Sequence, residues 1–265
     1  MFLRRIITSS LLILMIIAVI FLEWLCALAV TLFIALGLHE FFGMLDKKGV
    51  VVYRYFGTVL GVLIPLSIMF RFELTKGWEF LFVVLAILFL VLMQIKRRGS
   101  SGAILGISTT IFGIIYISWF FSFLIKIRYL DTGLGLLSAL LLITKSCDIG
   151  AYLIGSRFGK TPLAPNISPH KTVEGSIGGT IFSVLVALAC APFLGLELMH
   201  LAILGFAISI LAQLGDLSES LIKRDCNIKD SGSIFPGMGG ALDQIDSLLF
   251  TAPAFYFYVT AILQK

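Results

Sequence analysis

Trp78–Arg98 reads WEFLFVVLAILFLVLMQIKRR, an apolar run over 78–95 closed by three consecutive cations. A helix rises 1.5 Å per residue, so such a run approaches the roughly 30 Å of a bilayer's hydrocarbon core. Lys96-Arg97-Arg98 then marks where the chain re-enters water. Working outward, comparable runs recur at 6–22, 24–42, 55–70, 103–124, 132–154, 173–194, 200–222 and 245–263, about nine spans in all. The composition agrees: 59% of residues are hydrophobic and 13% charged, against about a quarter charged in soluble domains. Twenty-three Phe among 265 residues exceed what one soluble core hides. Spans that leave no backbone group unpaired in lipid are helical, so the predicted fold class is all-α, a polytopic transmembrane helical protein.

Loop charge orients the spans. With the N-terminus in the cytoplasm, the cytoplasmic segments carry Arg4, Arg5, Lys47, Lys48, Arg54, Lys96, Arg97, Arg98, Arg157, Lys160, Lys171, Lys223, Arg224 and Lys229. The opposite side carries Arg71, Lys76, Lys126, Arg128 and Lys265. This bias follows the positive-inside rule and places the polar loops 155–172 and 223–244 in the cytoplasm, with the protein in the cytoplasmic (inner) membrane. The net charge of +5 reads as topology and attraction to anionic lipid; no nucleic-acid module is present. Met1–Arg5 and the run from Ile6 read as a retained first span, because Phe21-Leu22-Glu23-Trp24 offers no small-residue cleavage site. Cys26, Cys147, Cys190 and Cys226 are too scattered for a disulfide framework or zinc site and read as reduced, packed residues. Lys96–Gly102 is the predicted internal boundary: 1–98 holds about four N-terminal spans, and 99–265 holds the C-terminal catalytic region with both polar loops.

Chemistry concentrates after that boundary. Ser220–Ser247 gathers Lys223, Arg224, Lys229, Asp230, Asp243 and Asp246 around the turn Pro236-Gly237-Met238-Gly239-Gly240. Cations, carboxylates and bare backbone at a membrane surface suit a metal-bound phosphate, although a Gly-rich turn alone is weak evidence. Asp148 and Asp216 lie within spans, where a carboxylate is costly unless paired or solvated. For Asp148 a structural pair with Lys145 at i,i+3 is the competing reading. Asp216, Ser220 and Lys223 share a helical stripe, and Asp243 and Asp246 share a face of the last helix. Asp216 and Asp243 can therefore converge from two helices, and Mg²⁺ is commonly held by one or two carboxylates plus substrate phosphates.

In the second loop, Ser168 followed by Pro169 predicts a helix N-cap, with Lys171 completing an anion site. Gly175–Gly179 fits small-residue helix packing. His39-Glu40 reads as an interfacial cap closing the second span, and His170 is surrounded by better phosphate-binding groups. Trp24, Trp78 and Trp119 fall near predicted span ends, as aromatic-belt anchors do.

These residues carry a resemblance. Ser220-Leu-Ile-Lys223-Arg224, Lys229-Asp230, Phe235-Pro-Gly-Met-Gly-Gly240 and Leu242-Asp243-Gln244-Ile-Asp246-Ser247 resemble the signature of the phosphatidate cytidylyltransferases (CDP-diacylglycerol synthases). Asp148-Ile-Gly-Ala-Tyr152, Phe158-Gly-Lys160, Leu163-Ala-Pro165 and Ile167–Gly175 are similar to that family too, so the match covers about 140–250. The resemblance implies a homodimeric membrane enzyme that joins CTP and phosphatidic acid into CDP-diacylglycerol and pyrophosphate. It also implies a divalent metal, Mg²⁺, at Asp216 and Asp243, with a monovalent cation such as K⁺ beside it. Met238 and Gln244 depart from the family's usual His and Arg, so roles at those positions do not transfer.

The expected assignments follow. Lys223, Arg224, Lys229, Asp246, Ser220 and Asp148 are the catalytic set. Ser168, Lys171, Asp230, Pro236, Gly237, Gly239 and Gly240 bind substrate, and Asp216 and Asp243 bind metal. A CTP-dependent lipid kinase is the nearest alternative, distinguished by its products. A cation-coupled transporter fits less well, because the polar residues gather on one side and no repeat is evident.

Overall fold

The computed structural model describes residues 17–71, 78–96, 101–235, 237 and 239–263. Helices dominate them: α1 (Glu23–Lys47), α2 (Arg54–Met69), α3 (Trp78–Lys96), α4 (Ala103–Gly113), α5 (Phe120–Arg128), α6 (Gly133–Phe158), α7 (Val173–Ala189), α8 (Ala191–Leu194), α9 (Leu198–Asp225) and α10 (Leu242–Leu263). A π-helical turn, Ile114–Trp119, joins α4 to α5 in one rod. Among the described residues, five helical rods are long and apolar enough to cross a membrane: Glu23–Lys47, Ala103–Arg128, Gly133–Phe158, Leu198–Asp225 and Leu242–Ile262. Arg54–Met69, Leu81–Lys96 and Val173–Ala189 are apolar but shorter. The protein is thus an all-α membrane protein.

Several boundaries differ from the sequence reading, each for a physical reason. Most of the expected span 6–22 lies outside the described residues; 17–21 is helical, and extended Leu22 separates it from α1. Helices α6 and α9 run a turn beyond their apolar stretches, to Phe158 and Asp225, because long charged side chains hold their heads in water while the stem stays helical. The expected span 173–194 breaks at Cys190, where Pro192 follows and cannot continue the hydrogen-bond ladder. Trp119 falls in the π-helical turn between α4 and α5.

The chain divides into two compact units, one comprising residues up to Ile125 with Cys226–Leu242, the other Lys126–Asp225 with Asp243–Lys265. In the first, fully buried Leu38 and Phe42 of α1 pack against the small Gly61 and Gly57 of α2. The Ser118 hydroxyl, in the π-helical turn, donates to the Gly61 carbonyl. In the second, α6 and α7 approach closely: a methyl at Gly178 would stand 2.5 Å from Ile154, and one at Gly179 2.8 Å from the Cys147 carbonyl. The expected packing role of Gly175–Gly179 is therefore what the structure shows. All four cysteines are buried and outside any disulfide.

Between α6 and α7 a two-stranded hairpin replaces the expected helix start. Strands β1 (Pro162–Ala164) and β2 (Ser168–Thr172) pair antiparallel, so Ser168 is not an N-cap. The cap is Thr172, extended at φ −121° and ψ 152°, whose hydroxyl accepts the Gly175 N–H. The Glu174 carboxylate accepts N–H groups from Lys160 and Thr161, tying the hairpin's entry to the helix start. With those anchors downstream, Pro169 has no helix to begin and lies within the strand.

Candidate active site

Helix α9 supplies the first half of the site. Asp216, Glu219 and Lys223 follow i, i+3, i+7, which aligns them on one face. Helix α10 begins at Leu242 and presents Asp243 and Asp246 within its first turns. The two helices meet where a side chain would forbid it: a methyl at Gly215 would lie 2.4 Å from the Asp246 carbonyl oxygen. That approach sets Asp216, next along α9, beside Asp246.

Three carboxylates converge there. Oxygens of Asp216, Glu219 and Asp246 all lie within 4.8 Å of one another. Lysines enclose them. Lys223 Nζ is 2.5 Å from Glu219 Oε2 and 2.5 Å from Asp243 Oδ1. Lys171 Nζ is 2.7 Å from Asp216 Oδ2. Lys145 Nζ reaches Asp148 Oδ2 at 3.1 Å and Ser247 Oγ at 3.3 Å. Five carboxylates against three ammonium groups leave a formal surplus of two negative charges.

Burial makes that surplus consequential. The Glu219 side chain is 1% exposed, and among the described residues neither of its oxygens has a hydrogen-bond partner beyond the ion pair with Lys223. Buried carboxylates cost several kcal/mol unless charge and hydrogen bonds compensate them. Three hard oxygen ligands with a deficit of two positive charges fit a divalent cation such as Mg²⁺. Asp216 and Asp246 are partly exposed.

The remaining expected residues divide as follows. Asp216, Lys171, Lys223, Asp243 and Asp246 come together, with Asp148 held by Lys145 in the ion pair that its sequence spacing offered as the competing reading. Arg224 Nε donates to the Ile167 carbonyl at 3.2 Å, joining the end of α9 to the hairpin turn. Ser168 lies partly buried on β2, and Ser220 is half-buried on α9. Gln244 is half-buried on α10. Lys229, Asp230, Gly237, Gly239 and Gly240 belong to the first unit: Lys229, Asp230 and Gly237 are exposed, and Gly240 is buried. Gly237 and Gly239 adopt φ of +82° and +94°, a region open to glycine at little cost. Pro236 and Met238 lie outside the described residues.

The sequence reading missed Glu219 and Lys145 as members. Glu219 was legible as the i+3 partner of Asp216 and the i−4 partner of Lys223. Sequence spacing offers Lys145 only as a structural partner of Asp148; its contact with Ser247 spans 102 residues and has no local signal.

Comparison with known proteins bears on this cluster. A model of the cytidylyltransferase family matches residues 3–262. The phosphatidate cytidylyltransferase of Synechocystis is 35% identical over 269 residues, covering 91% of this chain and 90% of its own. Those of Bacillus subtilis and Staphylococcus aureus are 42% and 37% identical over 54% and 64% of this chain, and 54% and 65% of their own. With the match running across nearly every residue, including both helices that carry the carboxylates, this chain belongs to the cytidylyltransferase family.

Proposed function

We propose that the protein is a phosphatidate cytidylyltransferase, converting CTP and phosphatidic acid to CDP-diacylglycerol and pyrophosphate. The observation that carries this reading is the carboxylate–lysine cluster of α9 and α10, at the ends of apolar helices, within a chain of the cytidylyltransferase family. A phosphate oxygen of phosphatidate attacks the α-phosphorus of CTP. The bond from that phosphorus to the bridging oxygen of the β-phosphate breaks, and pyrophosphate departs with the electron pair. A phosphate monoester is largely ionised near pH 7, its second pKa being about 6, so no dedicated base is required.

Catalysis then rests on positioning and charge neutralisation. Asp216, Glu219 and Asp246 hold the divalent cation, Mg²⁺, which when bound neutralises charge on the triphosphate; a monovalent ion such as K⁺ is the expected companion. Asp243, expected from the sequence as a second metal ligand, we assign to orienting Lys223 through their 2.5 Å contact. Lys223 and Lys171, each already paired with a carboxylate of the cluster, turn toward phosphate oxygens when substrate enters. Arg224, Ser168 and Ser220 supply further polar contacts from the hairpin and α9. Asp148 acts through Lys145 and is a positioning residue. The site faces the cytoplasm, as loop charge requires, and the enzyme works as a homodimer in the inner membrane.

The test is product identity with CTP labelled at the α-phosphate. Label in a CDP-lipid, released with unlabelled pyrophosphate, supports the reading. Label retained in free CDP, with a newly phosphorylated lipid, overturns it.

A further inference from the structure

Glu40 lies in α1, in the N-terminal half that shows few motifs, and the sequence reads it as an interfacial cap. The structure places it otherwise. Helix α1 continues past it to Lys47, and Glu40 is 7% exposed. Its Oε1 accepts the Ala241 N–H at 2.9 Å, and its Oε2 accepts the Leu242 N–H at 2.9 Å and the Ser231 hydroxyl at 3.0 Å. The partners are 191 to 202 residues away in sequence.

Each donor is informative. Leu242 is the first residue of α10 and Ala241 precedes it, so both amides belong to the helix's unsatisfied N-terminal donors. A carboxylate there is favoured by the helix dipole as well. Glu40 is thus a remote cap on the helix whose next residue is Asp243. Two glycines are fitted to the same carboxylate: a methyl at Gly232 would stand 2.3 Å from Glu40 Oε1, and one at Gly240 2.4 Å from Oε2. Gly240 therefore leaves the room that the Glu40 carboxylate and the Ser231 hydroxyl occupy. The buried charge is met by three donors drawn from both ends of segment 231–242, which encloses the Gly-rich turn.

We propose that Glu40 is a positioning residue for cytidylyl transfer: it clamps segment 231–242 and fixes the start of the helix that carries Asp243 and Asp246. This rests on the cytidylyltransferase reading above. Gln in its place keeps the size but offers one acceptor and turns an NH₂ toward a backbone N–H. Disrupting one charge-assisted bond of this kind corresponds to about 10- to 100-fold in rate where the held geometry is needed in the transition state.

The experiment compares wild-type protein with Glu40→Gln in detergent, measuring kcat and amide hydrogen exchange by peptide. We expect kcat to fall about 10- to 100-fold, with faster exchange confined to peptides covering 231–242. A general structural role would instead speed exchange across α1 and α2. Unchanged exchange over 231–242, or kcat within twofold of wild type, overturns the proposal. If Glu40→Gln does not fold, Gly240→Ala drives a methyl into the same carboxylate and must give the same local signature; its absence is equally decisive. A wild type that makes no CDP-lipid fails the enzymatic reading, whereas unaltered exchange in the variant fails this proposal alone.

Discussion

Replacing Lys223 with Met removes one positive charge while keeping an unbranched stem of similar reach. The Lys223 ammonium is 2.5 Å from both Glu219 and Asp243, and the three side chains are 12%, 1% and 12% exposed. Removing one partner from a buried ion pair costs about 3–5 kcal/mol, because the opposite charge is left uncompensated. The residual exposure of Lys223 and Asp243 argues for the lower end, about 3 kcal/mol. At about 2–4 °C per kcal/mol for a protein of this size, the apparent melting temperature should drop by roughly 6–12 °C. Divalent cation supplies the missing charge at the same carboxylates, so millimolar Mg²⁺ should restore more of the loss in Lys223→Met than it adds to wild type. The assay is thermal unfolding in detergent by intrinsic fluorescence, with chelator and across a Mg²⁺ series at one scan rate. A Lys223→Met protein that melts within about 2 °C of wild type in chelator refutes the argument. So does equal Mg²⁺ stabilisation of the two proteins.

Three further outcomes follow from the same geometry. Glu219→Gln removes one of three converging oxygens, and we expect the Mg²⁺ concentration for half-maximal CDP-lipid formation to rise at least tenfold, about 1.4 kcal/mol; an unchanged Mg²⁺ titration counts against Glu219 as a ligand. Gly215→Ala pushes a methyl toward the Asp246 carbonyl, now 2.4 Å from where it would sit, and overpacking of this kind costs about 1–3 kcal/mol; lowered melting temperature and activity together are expected, and a wild-type enzyme would contradict the close helix approach. Asp148→Asn breaks an ion pair whose side chains are 44% and 41% exposed, so we expect less than about 1 kcal/mol of stability change, read by the same melting assay.

How much was legible in the sequence depends on the range of the interaction. Span locations follow from continuous apolar runs, a local signal, and helices appear at each run that falls among the described residues. Helix ends were less legible: Phe158 and Asp225 extend their helices into water, and Pro192 splits a run that hydropathy alone treats as continuous. The misread start at Ser168-Pro169 arose because the pair also suits a strand, and the deciding contacts, Thr172 to Gly175 and Glu174 to Lys160 and Thr161, lie downstream. Asp216 was accessible because a carboxylate within a span is costly and stands out, and Asp243 and Asp246 because they cluster with cations and glycines and share a face at the start of the last helix. Glu219 had the right spacing but sat between more conspicuous neighbours. Glu40 lay beyond reach, since its partners are about 200 residues distant and nothing local distinguishes a remote helix cap from an interfacial one.

The most direct test incubates purified protein with phosphatidic acid, Mg²⁺ and CTP labelled separately at the α- and γ-phosphates, alongside Asp216→Asn. The expected result is α-label in CDP-diacylglycerol, γ-label in pyrophosphate, and a loss of at least a hundredfold in the variant, about 2.7 kcal/mol of transition-state stabilisation. γ-Label on the lipid, no CDP-lipid from the wild type, or an undiminished variant would contradict it.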